Sequence, residues 1–431
     1  MKKDYSFFSE VTERRSLVRR VSEEGFVLLK NEGGVLPYSK NDKIAVFGRT
    51  QVDTIKSGTG SASITAEQSL TLITALEASD IKIHTPLAEK YKNWAGENPI
   101  PNYGVWGSGM HSTPEMPLDK SDIDSALKSG ANKAIIVIGR SAGENEDTLL
   151  TKGDFYLSDE EEELFKAVTA AFSDVTVILN TTGIIDFSFI DRYNVKSVLY
   201  VNMLANSAIP AVADVLSGKV NPSGKLTSTV AFDYFDYPSS QYFGQNRGGT
   251  LQDYFEDVYV GYRYFETFEG ADKKVRFPFG FGLSYTTFKF DDICFKDEGE
   301  SLSVSLKVTN TGKVAGKETV QLYFKAPEVC KGAKLYKPSM NLCAFKKTSL
   351  LAAGESETVC FTVLKDKLAS FDDTGVTGHK DCWVLEAGEY ALYAGNSVKD
   401  AGERCVGSFT LDALKVVEKC HNIPTALSKR L

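Results

Sequence analysis

Residues 134–165 read AIIVIGRSAGENEDTLLTKGDFYLSDEEEELF, and the two ends of this stretch decide how the first half of the chain folds. Ala134-Ile135-Ile136-Val137-Ile138 is an unbroken apolar run with the length and β-branched content of a strand buried on both faces. Ser158 offers a side-chain cap for a helix, and Glu161 completes a capping box with it. The segment 139–157 belongs to neither element. A loop leaving the end of a buried parallel strand is where open α/β sheets hold their ligands. Glu144 stands near the start of this loop, flanked by Gly143 and Asn145, with Glu146 and Asp147 as competitors. Such a carboxylate can act as a general acid when its surroundings raise its pKa, and three solvated loop carboxylates are the plain alternative.

The same alternation extends outward. Lys43 to Gly48, Ile81 to His84, Val175 to Asn180 and Val198 to Val201 read as strands. Helices are expected near Ala66–Ala78 and Ile123–Lys128, from Ser158 to Phe172 and across Ala208–Leu216. Strands alternating with helices predict an α/β three-layer sandwich with a largely parallel sheet over residues 43–231. Residues 1–42 are expected as a helical lead-in whose apolar face holds Val18, Val21, Phe26, Val27 and Leu28, broken at Gly33-Gly34 and Pro37. The sequence from 232 to 286 turns aromatic and glycine-rich and keeps no period. It reads as a connector whose rings must mostly pack, since so many exposed aromatics are a liability.

Beyond it, Leu302–Val308 alternates with period two, and Thr319–Phe324, Glu357–Val363 and Tyr390–Gly395 behave alike. Turn signals at Asn310-Thr311-Gly312, Ala353-Gly354-Glu355 and Ala387-Gly388 separate them. An all-β sandwich over 287–412 follows, with 413–431 as a C-terminal tail.

Composition bounds the function. The 431 residues are 42% apolar and 25% charged, as in a globular protein. A net charge of −8 with no basic stripe speaks against nucleic acid as a partner. No run approaches the roughly 20 apolar residues of a membrane span, and MKKDYSFFSEVTERRS has no apolar core of a secretory signal, so a cytoplasmic location and no membrane partner are expected. The seven cysteines, from Cys294 to Cys420, form no CxxC pair and read as buried free thiols.

Other candidates are weaker. The turn at 49–61 contains Gly58, Thr59, Gly60 and Ser61 but lacks both nucleotide-loop spacings, so no cofactor is expected. His84, His111, His379 and His421 show no metal-ligand spacing, so no metal is expected. Trp94 and Trp106 flank a Gly- and Pro-rich loop and suit either sugar stacking or core packing. Asp159 to Glu163 at a helix start complement the helix dipole.

Several blocks together resemble the family 3 glycoside hydrolases, the β-glucosidase-like enzymes. They are Glu24-Gly25-Phe26-Val27-Leu28-Leu29-Lys30-Asn31, Ile44 to Gly48 with Lys56-Ser57-Gly58-Thr59-Gly60-Ser61, and Lys152-Gly153-Asp154-Phe155-Tyr156-Leu157. Further on come Ala213 to Leu226 (ADVLSGKVNPSGKL), Val258 to Phe265 (VYVGYRYF) and Phe277 to Tyr285 (FPFGFGLSY). The resemblance implies an α/β sandwich domain, a fibronectin type III-like domain and a (β/α)8 barrel, in the permuted order that puts the sandwich first. It also implies a retaining mechanism, with an aspartate nucleophile on the barrel and a glutamate acid/base on a sandwich-domain loop. Gly143-Glu144-Asn145-Glu146-Asp147-Thr148 aligns with a family Gly-Glu-Gly-x-Asp-Arg pattern, departing at Asn145 and Thr148. Glu144 is thereby implied as acid/base, with Ser61 and Asp147 as substrate-binding residues. Asn202 to Ser207 depart from the family's Trp-Gln and glycine-rich turn.

A (β/α)8 barrel takes about 250 residues, and the two domains read here fill the chain. Retaining hydrolysis needs a second carboxylate roughly 5 Å from the first. The expectation is therefore a chain that supplies half of a site for a β-glucoside or oligosaccharide, with a barrel in cis or on a partner chain. A non-catalytic relative serving assembly or sugar binding is the alternative, and a homo-oligomer is left open.

Overall fold

The apolar run and the capping box become a strand and a helix: Lys133–Arg140 is extended, Asp159–Ala171 is helical, and the Ser158–Glu161 box closes in both directions. The computed structural model describes residues 7–58, 70–100, 114–142, 148–242 and 254–421. The chain forms two units, Met1–Lys225 with Gly282–Thr286 and Leu226–Phe281 with Thr287–Leu431.

The first unit runs α1 (Phe7–Gly25), β1 (Val27–Asn31), β2 (Lys43–Phe47), α2 (Leu72–Glu77), β3 (Lys82–Ile83), α3 (Thr85–Glu97), α4 (Lys120–Lys128) and β4 (Lys133–Arg140). It continues with α5 (Asp159–Ala171), β5 (Val175–Thr181), α6 (Phe189–Arg192), β6 (Ser197–Tyr200) and α7 (Ile209–Leu216). The sheet order is β1-β6-β5-β4-β2-β3. β2 to β6 pair in parallel, and β1 lies antiparallel on β6.

Successive strand residues face opposite ways, so the two layers around the sheet can be read from its apolar residues. Ile44, Val46, Ile135, Val137, Ile178 and Leu199 pack in one core with Leu72 and Ile73 of α2 and Ile209 and Val212 of α7. Phe47 points the other way and meets Phe172 just beyond α5, edge on, at 6.1 Å between ring centroids. Phe165 of α5 in turn packs on Phe189 of α6 at 5.2 Å. The expected three-layer α/β sandwich is the fold of this unit.

Two local readings are corrected. The helix expected to carry Phe26, Val27 and Leu28 ends at Gly25, and Val27–Asn31 is a strand. A short apolar run fits strand or helix equally, and here the open edge of β6 takes it. The remaining face of that helix is not a core face, since Val18 is 37% and Val21 61% exposed. α1 is fastened by charge instead, with Arg19 Nε donating to Asp214 of α7 at 3.0 Å. α3 was not legible in the sequence, although Pro86 sits at its start.

The second unit comprises β7 (Val230–Ala231), α8 (Tyr262–Thr267), β8 (Val275–Phe277), β9 (Phe288–Asp297), β10 (Ser301–Asn310), β11 (Thr319–Lys325), β12 (Asn341–Lys347) and β13 (Ser356–Leu364). β14 (Ser370–Asp372), β15 (Cys382–Leu385), β16 (Gly388–Gly395), α9 (Val398–Gly402), β17 (Cys405–Leu411) and β18 (Lys415–Lys419) complete it. Two antiparallel sheets, β13-β10-β9 and β12-β11-β16-β17, carry the larger core. Leu302, Val304, Leu306 and Val308 of β10 fill it with Val359, Phe361 and Val363 of β13, Val320 and Leu322 of β11, and Leu392 of β16. The all-β sandwich reading holds.

Two expectations fail in this unit. The stretch from Leu414, read as tail, contributes β18, which pairs with β15. The rings of 232–286 mostly pack as expected, Tyr237 on Phe265 at 5.9 Å and Tyr262 on Phe279 at 4.5 Å, while Phe235 stays 63% and Tyr254 87% exposed and Tyr242 and Phe255 shelter one another by stacking at 3.8 Å. The cysteines are free, but Cys294, Cys330, Cys360 and Cys405 are exposed and only Cys382 is fully buried. The alternation that places Val304 and Val359 inside turns Cys294 and Cys360, both opposite Ser305, to the outer face.

Candidate active site

In the first unit the chain moves from β2 outward to β3, then crosses back to lay β4 on the other side of β2. The strand order therefore reverses between β2 and β4, and loops leaving the carboxyl ends of such a pair flank a crevice. These are the loops in which Ser61 and Glu144 lie. The backbones at the crevice floor are close. A methyl group at Gly139 would stand 2.5 Å from the Thr50 side chain. Ser141 Oγ donates to the carbonyl of Ser57 at 3.3 Å, so the two loop stems touch.

Side chains from neighbouring strands hold these stems. Asn180, near the end of β5 and 1% exposed, accepts from Ile55 N at 2.7 Å. Its amide donates to Ile55 O at 3.1 Å and Asn202 O at 2.6 Å. Leu204 N also donates to Ile55 O, at 3.1 Å. One buried amide thus fastens the stem from β2 to the turn after β6. That turn is the one that departs from the family pattern, and Asn202 occupies the left-handed region there at φ 57°.

Arg140, the last residue of β4, is fully buried. Nε donates to Asp154 O at 2.8 Å, Nη1 to Gly139 O at 2.7 Å and Nη2 to Tyr156 O at 3.3 Å. The remaining donors form a two-pronged pair with Glu161, at 2.7 and 2.6 Å. A guanidinium has five N–H donors in a planar fork, and all are satisfied here. The sequence reading placed Glu161 in the capping box, which is present, but assigned Arg140 no role. An arginine closing an apolar strand, with a glutamate at the next helix start, was the available signal.

A second buried group lies behind β2. Arg49, 1% exposed, pairs with Asp53 at 2.6 Å, donates to Asn98 O at 2.5 Å and lies over Trp94 at 5.0 Å. Trp94 is thus engaged by a cation within the fold. Glu115 accepts from Arg49 N at 2.7 Å and Met116 N at 2.9 Å. Burial pushes its carboxyl up to about 7; the two amide donors oppose the rise and the charge of Glu161 adds to it. A carboxyl that binds its proton more tightly when folded stabilises most below its unfolded pKa, and that contribution is lost as pH rises. We expect the stability contributed by Glu115 to fall between about pH 4.5 and 7, by of order 2–3 kcal/mol at about 1.4 kcal/mol per pKa unit. Urea unfolding at pH 5 and pH 8 checks this. Glu115→Gln should flatten the wild-type decline, and an identical decline in both proteins would contradict it.

Glu144, Asp147 and Ser61 lie outside the described residues, as do Glu146 and Trp106. The structure describes the stems that lead to them. No group of histidine, cysteine, aspartate and glutamate able to hold a metal ion occurs among the described residues. His84 sits at the start of α3 with Ser125 Oγ 3.4 Å from its Nε2. No helix among the described residues is long and apolar enough to cross a membrane.

The first unit is thus an α/β sandwich with a crevice at the strand-order reversal, and the second carries an antiparallel β-sandwich. Residues 26–285 match the glycosyl hydrolase family 3 C-terminal domain, and residues 318–398 the fibronectin type III-like domain. The chain belongs to glycosyl hydrolase family 3. It is similar to a beta-glucosidase of Ruminococcus albus, 43% identical over 93% of this chain and 41% of the relative. Beta-glucosidase A of Butyrivibrio fibrisolvens is 36% identical, over 95% of this chain and 52% of its own length. Among solved structures, a beta-glucosidase from Paenibacillus barengoltzii superposes with a TM-score of 0.86 at 39% identity, over 95% of this chain and 45% of that one. Beta-glucosidase 3B of Thermotoga neapolitana, in complex with alpha-D-glucose, gives 0.82 at 35% identity, over 94% and 55%. The chain spans about half the length of these relatives.

Proposed function

We propose that this chain supplies the acid/base carboxylate, Glu144, to a retaining β-glucosidase-type hydrolase whose nucleophile lies outside these 431 residues. Glu144 protonates the glycosidic oxygen as the aglycone leaves, then takes a proton from the water that releases the sugar. A β-glucoside is the substrate class, in keeping with the relatives named beta-glucosidase. The observation that carries the reading is the contact of Ser141 with Ser57. It joins the stems of two loops that leave adjacent parallel strands at the strand-order reversal, one leading to Glu144 and the other to Ser61. Ser61 and Asp147 contact the sugar in this reading.

The test uses the chain together with its barrel, on one polypeptide or added as a second chain. Glu144→Gln should lower kcat/KM about 10²–10⁴-fold on phenyl β-glucoside, whose leaving group needs a proton. On 2,4-dinitrophenyl β-glucoside, whose leaving group does not, the loss of kcat/KM should be small. Equal losses on both substrates would remove Glu144 from the acid role.

A further inference from the structure

The segment from Ser141 to Gly153 leaves and rejoins the fold at two places, and one side chain binds both. Arg140 forms the exit, while the carbonyls of Asp154 and Tyr156, which it holds at 2.8 and 3.3 Å, form the return. Glu161 fixes the guanidinium from the far side and is itself fixed, since its Oε2 accepts from Ser158 N at 2.8 Å. The exit is also tied to β5, with Thr182 N donating to Arg140 O at 3.1 Å. On the return side, Asp154 Oδ2 accepts from Leu149 N at 2.8 Å, and Gly153 N donates to Tyr156 O at 2.9 Å.

A surface turn needs none of this. A guanidinium whose five donors meet two carboxylate oxygens and three carbonyls, away from water, is costly to bury and tolerates little displacement. It spends that cost on the span between residues 140 and 156, the two ends of the loop that carries Glu144. General acid catalysis depends on such placement, because the proton must travel a hydrogen-bond length to the leaving oxygen.

We propose that Arg140, locked by Glu161, is the positioning residue for the acid/base loop. It touches no substrate; it sets the distance between the loop ends and thereby the reach of the acid. The inference rests on the role proposed for Glu144, and its test separates the two. Lysine keeps the charge but cannot fork across Glu161 and the carbonyls. Glutamine at 161 keeps the shape and removes the charge. Arg140→Lys, Glu161→Gln and Glu144→Gln are each assayed, in the chain with its barrel, on phenyl and 2,4-dinitrophenyl β-glucosides. Folding is followed by circular dichroism and melting temperature.

The expected result is a folded Arg140→Lys and Glu161→Gln that lose at least tenfold more kcat/KM on the phenyl than on the dinitrophenyl glucoside, in the sense shown by Glu144→Gln. On the dinitrophenyl substrate kcat and KM should fall together, because slower activation of water lets the glycosyl intermediate accumulate, while kcat/KM stays near wild type. If Glu144→Gln discriminates between leaving groups but the two others lose equally on both, lose nothing, or fail to fold, the positioning role is overturned and the pair serves stability alone. If Glu144→Gln itself does not discriminate, it is the acid assignment that fails.

Discussion

Gly48→Ala should cost about 4 kcal/mol of folding stability, combining about 1–3 kcal/mol of backbone strain with the overlap of a new methyl group. Gly48 follows β2 at φ +95°, a conformation side chains rarely adopt, and a Cβ there would run into the Val137 carbonyl oxygen, with Val137 N 3.0 Å away. Those atoms belong to β4, whose backbone is held in the parallel ladder through Ile136 and Val137. Neither strand can retreat without breaking sheet hydrogen bonds. Gly130 provides the control, at φ +85° with nothing within 4 Å of an added methyl group. Gly130→Ala should show only the strain, about 1 kcal/mol. Urea midpoints measure both, and equal midpoints for the two variants would refute the close approach of β2 and β4.

Arg140→Met should cost about 3–5 kcal/mol, because it leaves the Glu161 carboxylate buried without its partner. Glu161 is 4% exposed and Arg140 fully buried, so solvent cannot replace the lost pairing. Three carbonyls each lose one donor as well, with Tyr156 O keeping Gly153 N. Arg140→Met with Glu161→Met removes the stranded charge and should recover part of the loss. A double-mutant cycle by urea unfolding should give a coupling of about 1–3 kcal/mol. Additive losses would mean that the two residues do not act as a pair.

The fold of the first unit was legible because its central strands are buried on both faces. Ala134–Ile138 is therefore apolar throughout and Val175–Asn180 nearly so, broken only by Thr176 and Asn180, which is a strong local signal. The Ser158–Glu161 box was equally legible, since a cap is a contact between near neighbours in sequence. β9 shows the opposite case. Its sequence, FKFDDICFKD, buries few side chains at the sheet edge, so little of the alternation survives. Val27–Asn31 was misread because an apolar run of that length carries no period of its own.

The loops that carry the candidate residues were legible to the same extent. The loop from β4 could be found from the strand before it and the cap after it, and the family resemblance then singled out Glu144. What sequence could not give was its support. Arg140 reaches Asp154, Tyr156 and Glu161, and Asn180 reaches Ile55, only because the parallel sheet folds distant segments together. Glu115 likewise looks like any loop carboxylate until burial against Arg49 N and Met116 N sets it apart.

The central claim, that Glu144 delivers and then retrieves the proton, is tested most directly by removing it and supplying an anion. Glu144→Gly, in the chain with its barrel, is turned over on 2,4-dinitrophenyl β-glucoside with and without azide. Glycosylation proceeds with that leaving group, water can no longer be activated, and azide needs no base. The expected result is a rate increase with azide and a β-glucosyl azide product. A rate indifferent to azide, with glucose as sole product, would contradict it.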